Sequence, residues 1–285
     1  MDQGISDFFA AWELFADPVW TGIAAGATLG VLGVYVVLRR MIFLSAAVSQ
    51  ASGLGVVLAL FAQAHLGASA VIASPIVGAI VATFGALLWL WASRSHVDRD
   101  ARLGVVFLVG MAGTLAVGAL IPNELHDVDA LLYGSAVAVL PEDMTRVVVL
   151  SVVTLLLHAL WHRGFTLVSF DPVGAKVRGV PVRVADAILL VSLGLAIALI
   201  TQVIGALPVF AFCVLPALAA LQWASNPAQA LVVAGLLGAF YGFTGYLGSF
   251  LWDLPVGAAY TLVAALGFAV SALLARLLRP RMTVQ

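Results

Sequence analysis

The chain has very few charged residues for its length. Only 9% of its 285 residues are Asp, Glu, Lys or Arg, whereas 63% are hydrophobic. A soluble domain carries roughly a quarter of its residues as charges. Here apolar runs longer than about 18 residues, enough to cross a bilayer, recur from end to end. These properties exclude a soluble enzyme and indicate a protein that crosses the lipid bilayer many times.

Cysteine is nearly absent, and several sequence signatures are missing altogether. The single cysteine, Cys213, lies in an apolar run, which excludes disulfides and thiolate metal clusters within the chain. A net charge of −1 without a basic patch gives no reason to expect nucleic acid binding. Neither a G-x-x-x-x-G-K-[ST] phosphate loop nor an H-E-x-x-H sequence occurs. Any nucleotide hydrolysis must therefore take place on another polypeptide.

Hydrophobic runs predict an all-α fold with about nine membrane-spanning helices, and eight is the alternative count. Small residues spaced by four, as at Gly22, Gly26 and Gly30, favour close packing of helices in lipid. Segment 206–223 is short and contains two prolines, so it is expected to be a broken or re-entrant helix. The predicted spans are 18–38, 43–64, 69–93, 103–122, 145–162, 184–203, 206–223, 228–250 and 255–278.

Basic residues orient these spans, because they accumulate on the cytoplasmic side of membrane proteins. With the N-terminus outside, Arg146 is the only one of the 13 basic residues on the outer side. Acidic residues lean the other way. Residues 1–17 lack the basic start of a signal peptide and are expected to form an outer interfacial segment. Residues 281–285 are expected to be a cytoplasmic tail.

One polar segment, FDPVGAKVRGVPVRVAD at 170–186, interrupts the apolar sequence on the inner side. Asp171 before Pro172 is typical of a helix start, and Gly179 followed by Pro181 is typical of a helix end. A short helix at the membrane face can dock in a groove of another protein. The charges by themselves favour an ordinary solvated loop.

Five segments together resemble, in the same order, motifs of the permease subunit of bacterial ABC importers for zinc and manganese. In that family the polar segment is similar to D-P-x-x-A-x-x-x-G-[IV]-x-V, matched here at Asp171, Pro172, Ala175, Gly179, Val180 and Val182. The other four are LRRMIFLSAAVSQASGLGVVLA (38–59), DVDALLYGSAVAVLPEDM (127–144), VIGALPVFAFCVLPALAA (203–220) and DLPVGAAYTLVAAL (253–266). Because five motifs in the right order are specific, the resemblance outweighs the loop interpretation.

This resemblance implies a permease-like bundle over residues 18–280, working as a homodimer in the bacterial inner membrane. Its cytoplasmic coupling region, 165–183, would contact separate ATPase subunits through Asp171, Pro172, Ala175, Gly179 and Val180. An extracytoplasmic metal-binding protein would deliver a divalent metal, with zinc expected first and manganese second. The chain itself is expected to be a transport subunit that catalyses no reaction and binds no cofactor.

The resemblance fails at the metal path. Most such permeases have G-D-x-[LIV]-[SA]-H-A after the first span, and here the Asp and His positions are Ala46 and Gln50. Alanine cannot ligate a metal, and one glutamine carbonyl suits hard cations better than zinc. The expected path residues are Ala46, Ser49, Gln50, Gln202 and Pro216. Either the path is a water-filled conduit or other groups substitute, and both glutamines equally fit interhelical hydrogen bonds.

Few other residues offer metal ligands. His126, Asp127 and Asp129 form an outer acidic cluster, which is a solvated loop, a site of metal capture or a docking site for the binding protein. His158 and His162 share a helix face at i, i+4 spacing. Two histidines at this spacing can bind zinc, although the neighbouring aromatic and basic residues also fit a membrane-interface anchor.

Other functions fit the sequence less well. An ion-coupled secondary carrier needs no ATPase, but such carriers have charged residues at mid-membrane and repeated halves, and neither is evident here. An intramembrane protease would need a catalytic motif at depth. An ABC permease for iron or a metal chelate remains an alternative. Asp186, just inside the membrane face, is expected to stabilise a helix start.

Overall fold

A computed structural model describes residues 4–67, 69, 74–92, 98–121 and 139–278. Every regular element in these ranges is an α-helix, which confirms the all-α expectation. The helices are α1 (Ile5–Ala10), α2 (Trp12–Leu38), α3 (Ile42–Leu66), α4 (Pro75–Ala92), α5 (Arg99–Gly118), α6 (Pro141–Phe170), α7 (Pro172–Val177), α8 (Val182–Ile204), α9 (Ala206–Trp223), α10 (Pro227–Trp252) and α11 (Val256–Leu278).

Within the described ranges, nine helices are long and apolar enough to cross a membrane, with mean hydropathy from 1.6 to 2.5. They are α2–α6 and α8–α11, in agreement with the predicted count of nine. The bounds differ most at the start of α2, which is Trp12, at the start of α4, which is Pro75, and at the end of α6, which is Phe170. Hydropathy predicts only the apolar part of a helix that lies in lipid. The helical backbone hydrogen bonds of α2 and α6 continue beyond it through polar residues such as Glu13 and Arg163.

The expectation that segment 206–223 is broken or re-entrant is wrong. Helix α9 is continuous from Ala206 to Trp223, with Pro216 inside it. Pro208 lies in the first turn, where a missing N–H breaks no helical bond. Along its length, α9 packs against α2, α3, α8, α10 and α11, and near Pro216 it meets Gly30 of α2. These neighbours bury Pro216, and dense packing of this kind lets a transmembrane helix tolerate an interior proline.

A glycine seam joins α2 to α10. A Cβ added at Gly26 would collide with the carbonyl group of Gly238, and one added at Gly238 would collide with that of Gly26. A Cβ added at Gly242 would also collide with the carbonyl group of Gly22, and one added at Gly30 would collide with the α10 backbone. The two helices therefore run antiparallel in direct backbone contact, as the four-residue spacing predicts.

Aromatic side chains attach the N-terminal segment to the bundle. Phe8 of α1 is completely buried. Its ring stacks on Phe15 at a centroid distance of 5.3 Å and meets Phe250 edge-on at 5.4 Å. These contacts join α1 to the start of α2 and the end of α10. The opposite end of the bundle, where α2 and α6 end and α8 begins, carries α7 and is called the α7 end below.

Candidate coupling segment and translocation path

Helix α7 is a short, capped helix between α6 and α8. Its N-cap is Asp171, whose Oδ1 accepts a hydrogen bond from the Gly174 backbone N at 2.9 Å. Pro172 occupies the first helical position, where the absent N–H is not needed and the fixed φ suits a helix. The short helix predicted from the sequence is therefore present and begins where the Asp-Pro pair predicts.

The end of α7 depends on one left-handed residue. Gly179 has φ 78°, a conformation that side chains with a Cβ adopt only at a cost. The Val180 N donates to the Ala175 carbonyl at 3.0 Å, and the Gly179 N donates to the Lys176 carbonyl at 3.1 Å. Nothing lies within 4 Å of a Cβ added at Gly179. Glycine is therefore required here by backbone conformation and not by lack of space.

The two faces of α7 differ in burial. Ala175 is completely buried against the bundle, and Val180 packs against the core. On the other face Val173 is 75% exposed and Val177 is 83% exposed. A short helix that is buried on one side and apolar on its free side offers a surface that another protein can cover.

A charged cluster beside α7 ties three helices together. Arg39, at the end of α2, donates from Nη1 to Asp186 Oδ1 of α8 at 2.6 Å and from Nε to Ser169 Oγ of α6 at 2.9 Å. We call Arg39, Ser169 and Asp186 the Arg39 node. The expectation that Asp186 stabilises a helix start is wrong, because α8 begins at Val182 and the carboxylate is held by Arg39 instead.

Three of the five predicted path residues come together on α3. Ser49 Oγ donates to the Ala46 carbonyl at 3.0 Å, and both residues are buried. Gln50 has a buried Oε1 that accepts no hydrogen bond from any described residue. Ala46, Ser49 and Gln50 border a cavity of about 300 Å³ whose wall is otherwise apolar. We call it the α3 cavity. The other lining residues are Phe43, Phe107, Met111, Ala206, Leu207 and Phe210.

The other two predicted path residues lie elsewhere. Gln202 Nε2 donates to the Ala198 carbonyl of its own helix at 3.1 Å, so this bond is intrahelical. Pro216 is buried in α9, where it is a near neighbour of Gly30. Neither residue borders the α3 cavity.

The two histidines of α6 have different environments. His158 is buried, and its Nδ1 is 2.8 Å from the Thr154 carbonyl, which makes Nδ1 the donor. Its ring stacks on Phe165 at a centroid distance of 4.7 Å, and its Nε2 is 3.4 Å from Ser192 Oγ. His162 is exposed. Both border an apolar cavity of about 360 Å³ between α2, α6 and α10.

A multidentate metal centre is not found in the part of the chain that the structure describes. There, no three or more His, Cys, Asp or Glu side chains are grouped so that they could hold a metal ion. The acidic cluster of His126, Asp127 and Asp129 lies outside the described residues. What the geometry does assemble is a capped helix, a charged cluster beside it and an apolar cavity with a few oxygen groups.

Comparison with known proteins identifies the family of the chain. The profile described as the ABC 3 transport family matches residues 11–275. The chain belongs to this family. One relative, the manganese transport system membrane protein MntC of Halalkalibacterium halodurans, is 27% identical over 93% of this chain and 88% of its own. The manganese import system permease protein ScaB of Streptococcus parasanguinis is 28% identical over 88% of this chain and 87% of its own.

A solved structure has the same fold. PsaBC from Streptococcus pneumoniae in complex with Fab matches with a TM-score of 0.82 and 24% identity, over 94% of this chain and 95% of that chain. The family resemblance carried by the five ordered motifs and the permease-like bundle are thereby confirmed. Sequence reasoning missed the role of Arg39, which it treated only as a marker of topology. The one available signal was the RR pair that ends the first apolar run.

Proposed function

We propose that this chain is the membrane-spanning permease of an ATP-driven importer for divalent metal ions, with α7 as its contact to a separate ATPase. The observation that carries the proposal is the form of α7 in a chain of this family. It is capped at Asp171, stopped at Gly179 and exposes Val173 and Val177. A rigid helix with an apolar free face can transmit the displacement of a docked partner, whereas a flexible loop would absorb it.

Manganese is the proposed cargo ahead of zinc, which reverses the order expected from the sequence. Two relatives are named for manganese. The cavity side chains that carry ligand atoms offer only the oxygens of Ser49 and Gln50 and the thioether of Met111, with no imidazole, thiolate or carboxylate. The cavity therefore lacks the imidazole and thiolate ligands that zinc prefers, and the choice of manganese rests on the relatives.

The α3 cavity is proposed to be a gated conduit and not a tight binding site. Its wall presents the rings of Phe43, Phe107 and Phe210, which cannot replace the water bound to a divalent cation. The oxygens of Ser49 and Gln50 are too few to complete a coordination shell of about six ligands. The ion would therefore pass largely hydrated, and selection of the metal would rest on an extracytoplasmic binding protein.

The assembly is proposed to follow from the charge pattern and the family. The chain would lie in the bacterial inner membrane with its N-terminus outside and its C-terminus inside, because nearly all basic residues then face the cytoplasm. Two copies and two ATPase subunits would form the importer. Residues 1–17 would be the outer interfacial segment, 18–280 the permease domain with coupling region 165–183, and 281–285 the cytoplasmic tail.

Uptake of radioactive manganese and zinc into proteoliposomes containing the permease and its ATPase, supplied with the extracytoplasmic binding protein, tests this function. We expect ATP-dependent uptake of manganese that exceeds uptake of zinc. Uptake that proceeds without the ATPase would refute the proposal in favour of a secondary carrier. Equal or greater uptake of zinc would refute only the choice of metal.

A variant that restores the usual ligands tests the conduit. Ala46→Asp with Gln50→His places a carboxylate and an imidazole four residues apart on one face of α3. The double variant should retain metal in the purified membrane protein, while the wild type retains none after dialysis. Stoichiometric metal in the dialysed wild type would show that the cavity already holds a binding site.

A further inference from the structure

The Arg39 node contacts the chain on both sides of α7. We call the connections of α7 to α6, at Asp171, and to α8, at Gly179, its two joints. Ser169 is two residues before the cap of α7, and Asp186 follows the stop of α7 in the second turn of α8. Helix α7 itself packs against α6 and α8. One guanidinium therefore holds the last turn of α6, which precedes α7, and the second turn of α8, which follows it, and it does so from the end of α2.

The bonds of the node suit a mechanical link. Only 13% of the Arg39 side chain is exposed, against 41% for Asp186. The Ser169 hydroxyl donates to the Phe165 carbonyl at 2.7 Å, which leaves an oxygen lone pair to accept from Arg39. A guanidinium is a planar fork that binds two acceptors in fixed directions, and partial burial strengthens such charge-assisted bonds. A lysine ammonium carries its three donors on one nitrogen at the end of a flexible stem, so it does not fix these directions.

Arg39 is also close in sequence to the helix that borders the cavity. A tight turn follows it, in which Arg40 has φ 55° and the Met41 N donates to the Val36 carbonyl at 2.9 Å. Helix α3 begins directly after this turn, and Phe43 and Gln50 on it line the cavity. A displacement at Arg39 would therefore reach α3 through a short and constrained connection.

We propose that Arg39 is a positioning residue that clamps both joints of α7 to the end of α2. With the clamp in place, movement of α7 is passed to α2 and α3. Without it, the movement is absorbed by bending at the joints around Asp171 and Gly179. The proposal rests on the proposed function, in which α7 receives the motion of the ATPase.

Hydrogen exchange of the purified permease, without ATPase, tests the clamp directly. In Arg39→Ala we expect the backbone amides of 170–182 to exchange more than tenfold faster, because both charge-assisted hydrogen bonds are lost and losing one corresponds to about tenfold. Ser169→Ala and Asp186→Asn should each give part of this effect, and Arg39→Lys an intermediate one. Arg146→Ala is the matched control, because Arg146 forms ion pairs with Glu142 and Asp143 at the opposite end of the bundle.

Transport per ATP hydrolysed, measured in proteoliposomes with the ATPase, tests the consequence. We expect Arg39→Ala to keep ATP hydrolysis while the metal moved per ATP falls at least several-fold, and Arg39→Asp with Asp186→Arg to recover part of the ratio. Wild-type exchange over 170–182 in Arg39→Ala, or an unchanged ratio, would overturn the proposal. If the wild-type permease neither transports metal nor changes the rate of ATP hydrolysis, the proposed function is refuted, and with it the role of Arg39 in coupling. The exchange measurement then decides the clamp alone.

Discussion

Adding one methyl group to the glycine seam should test whether backbone contact between α2 and α10 holds the bundle together. In Gly26→Ala the new Cβ would lie 2.6 Å from the Gly238 carbonyl carbon and closer still to its oxygen. Ordinary carbon–carbon contacts begin near 3.5 Å, so the helices must separate by roughly 1 Å. Because the obstacle is backbone, no side chain rotation can relieve it.

The cost follows from the rigidity of both helices. Overpacking of this kind destabilises by about 1–3 kcal/mol, and separation along the whole seam places Gly26→Ala in the upper part, at about 2–3 kcal/mol. For a protein of this size that corresponds to a fall in Tm of roughly 5 to 10 °C. Thermal unfolding of the purified protein in detergent, followed by circular dichroism, measures it.

The matched control is Gly85→Ala in the middle of α4. Nothing lies within 4 Å of a Cβ added at Gly85, so this variant gains the same helix propensity as Gly26→Ala without the collision. We expect it to be neutral or stabilised by up to about 1 kcal/mol. Equal Tm values for the two variants would refute the reasoning, because they would show that the seam relaxes at no cost.

Three further predictions concern transport and topology. Gly179→Ala should cost about 1–2 kcal/mol of local stability, because φ is 78° there, and should lower ATP-dependent uptake. The control Gly164→Ala lies in an open helical position and should leave uptake unchanged. Equal uptake by the two variants would contradict the prediction. Gln50→Ala should leave radiometal uptake nearly unchanged, because the ion is proposed to pass largely hydrated and no described residue loses a hydrogen bond to Oε1. A large defect at normal expression would show that Gln50 ligates the ion. A cysteine replacing Glu142 should react with an impermeant thiol reagent from outside the cell and one replacing Arg178 should not; the reverse pattern would overturn the orientation and the coupling assignment.

Much of this protein's structure follows from local sequence patterns. The helical segments follow from apolar runs whose length matches the bilayer, a property of each segment alone. The start of α7 at Asp171-Pro172 and its stop at Gly179 follow from what those residues do to their own backbone. The order of five motifs identified the family, and the four-residue spacing of glycines in α2 predicted a close helix contact.

Packing between distant segments decided the rest. Helix α9 stays continuous through Pro216 because its neighbours surround it, which no property of 206–223 indicates. The sequence could not separate Gln50, which borders the cavity, from Gln202, which bonds within its own helix, because a side chain's direction depends on how helices rotate against one another. Arg39 meets Ser169 and Asp186 across separations of 130 and 147 residues. Such a contact exists only once α2, α6 and α8 have packed together, so the sequence alone shows three unrelated polar residues where the tertiary structure forms one cluster.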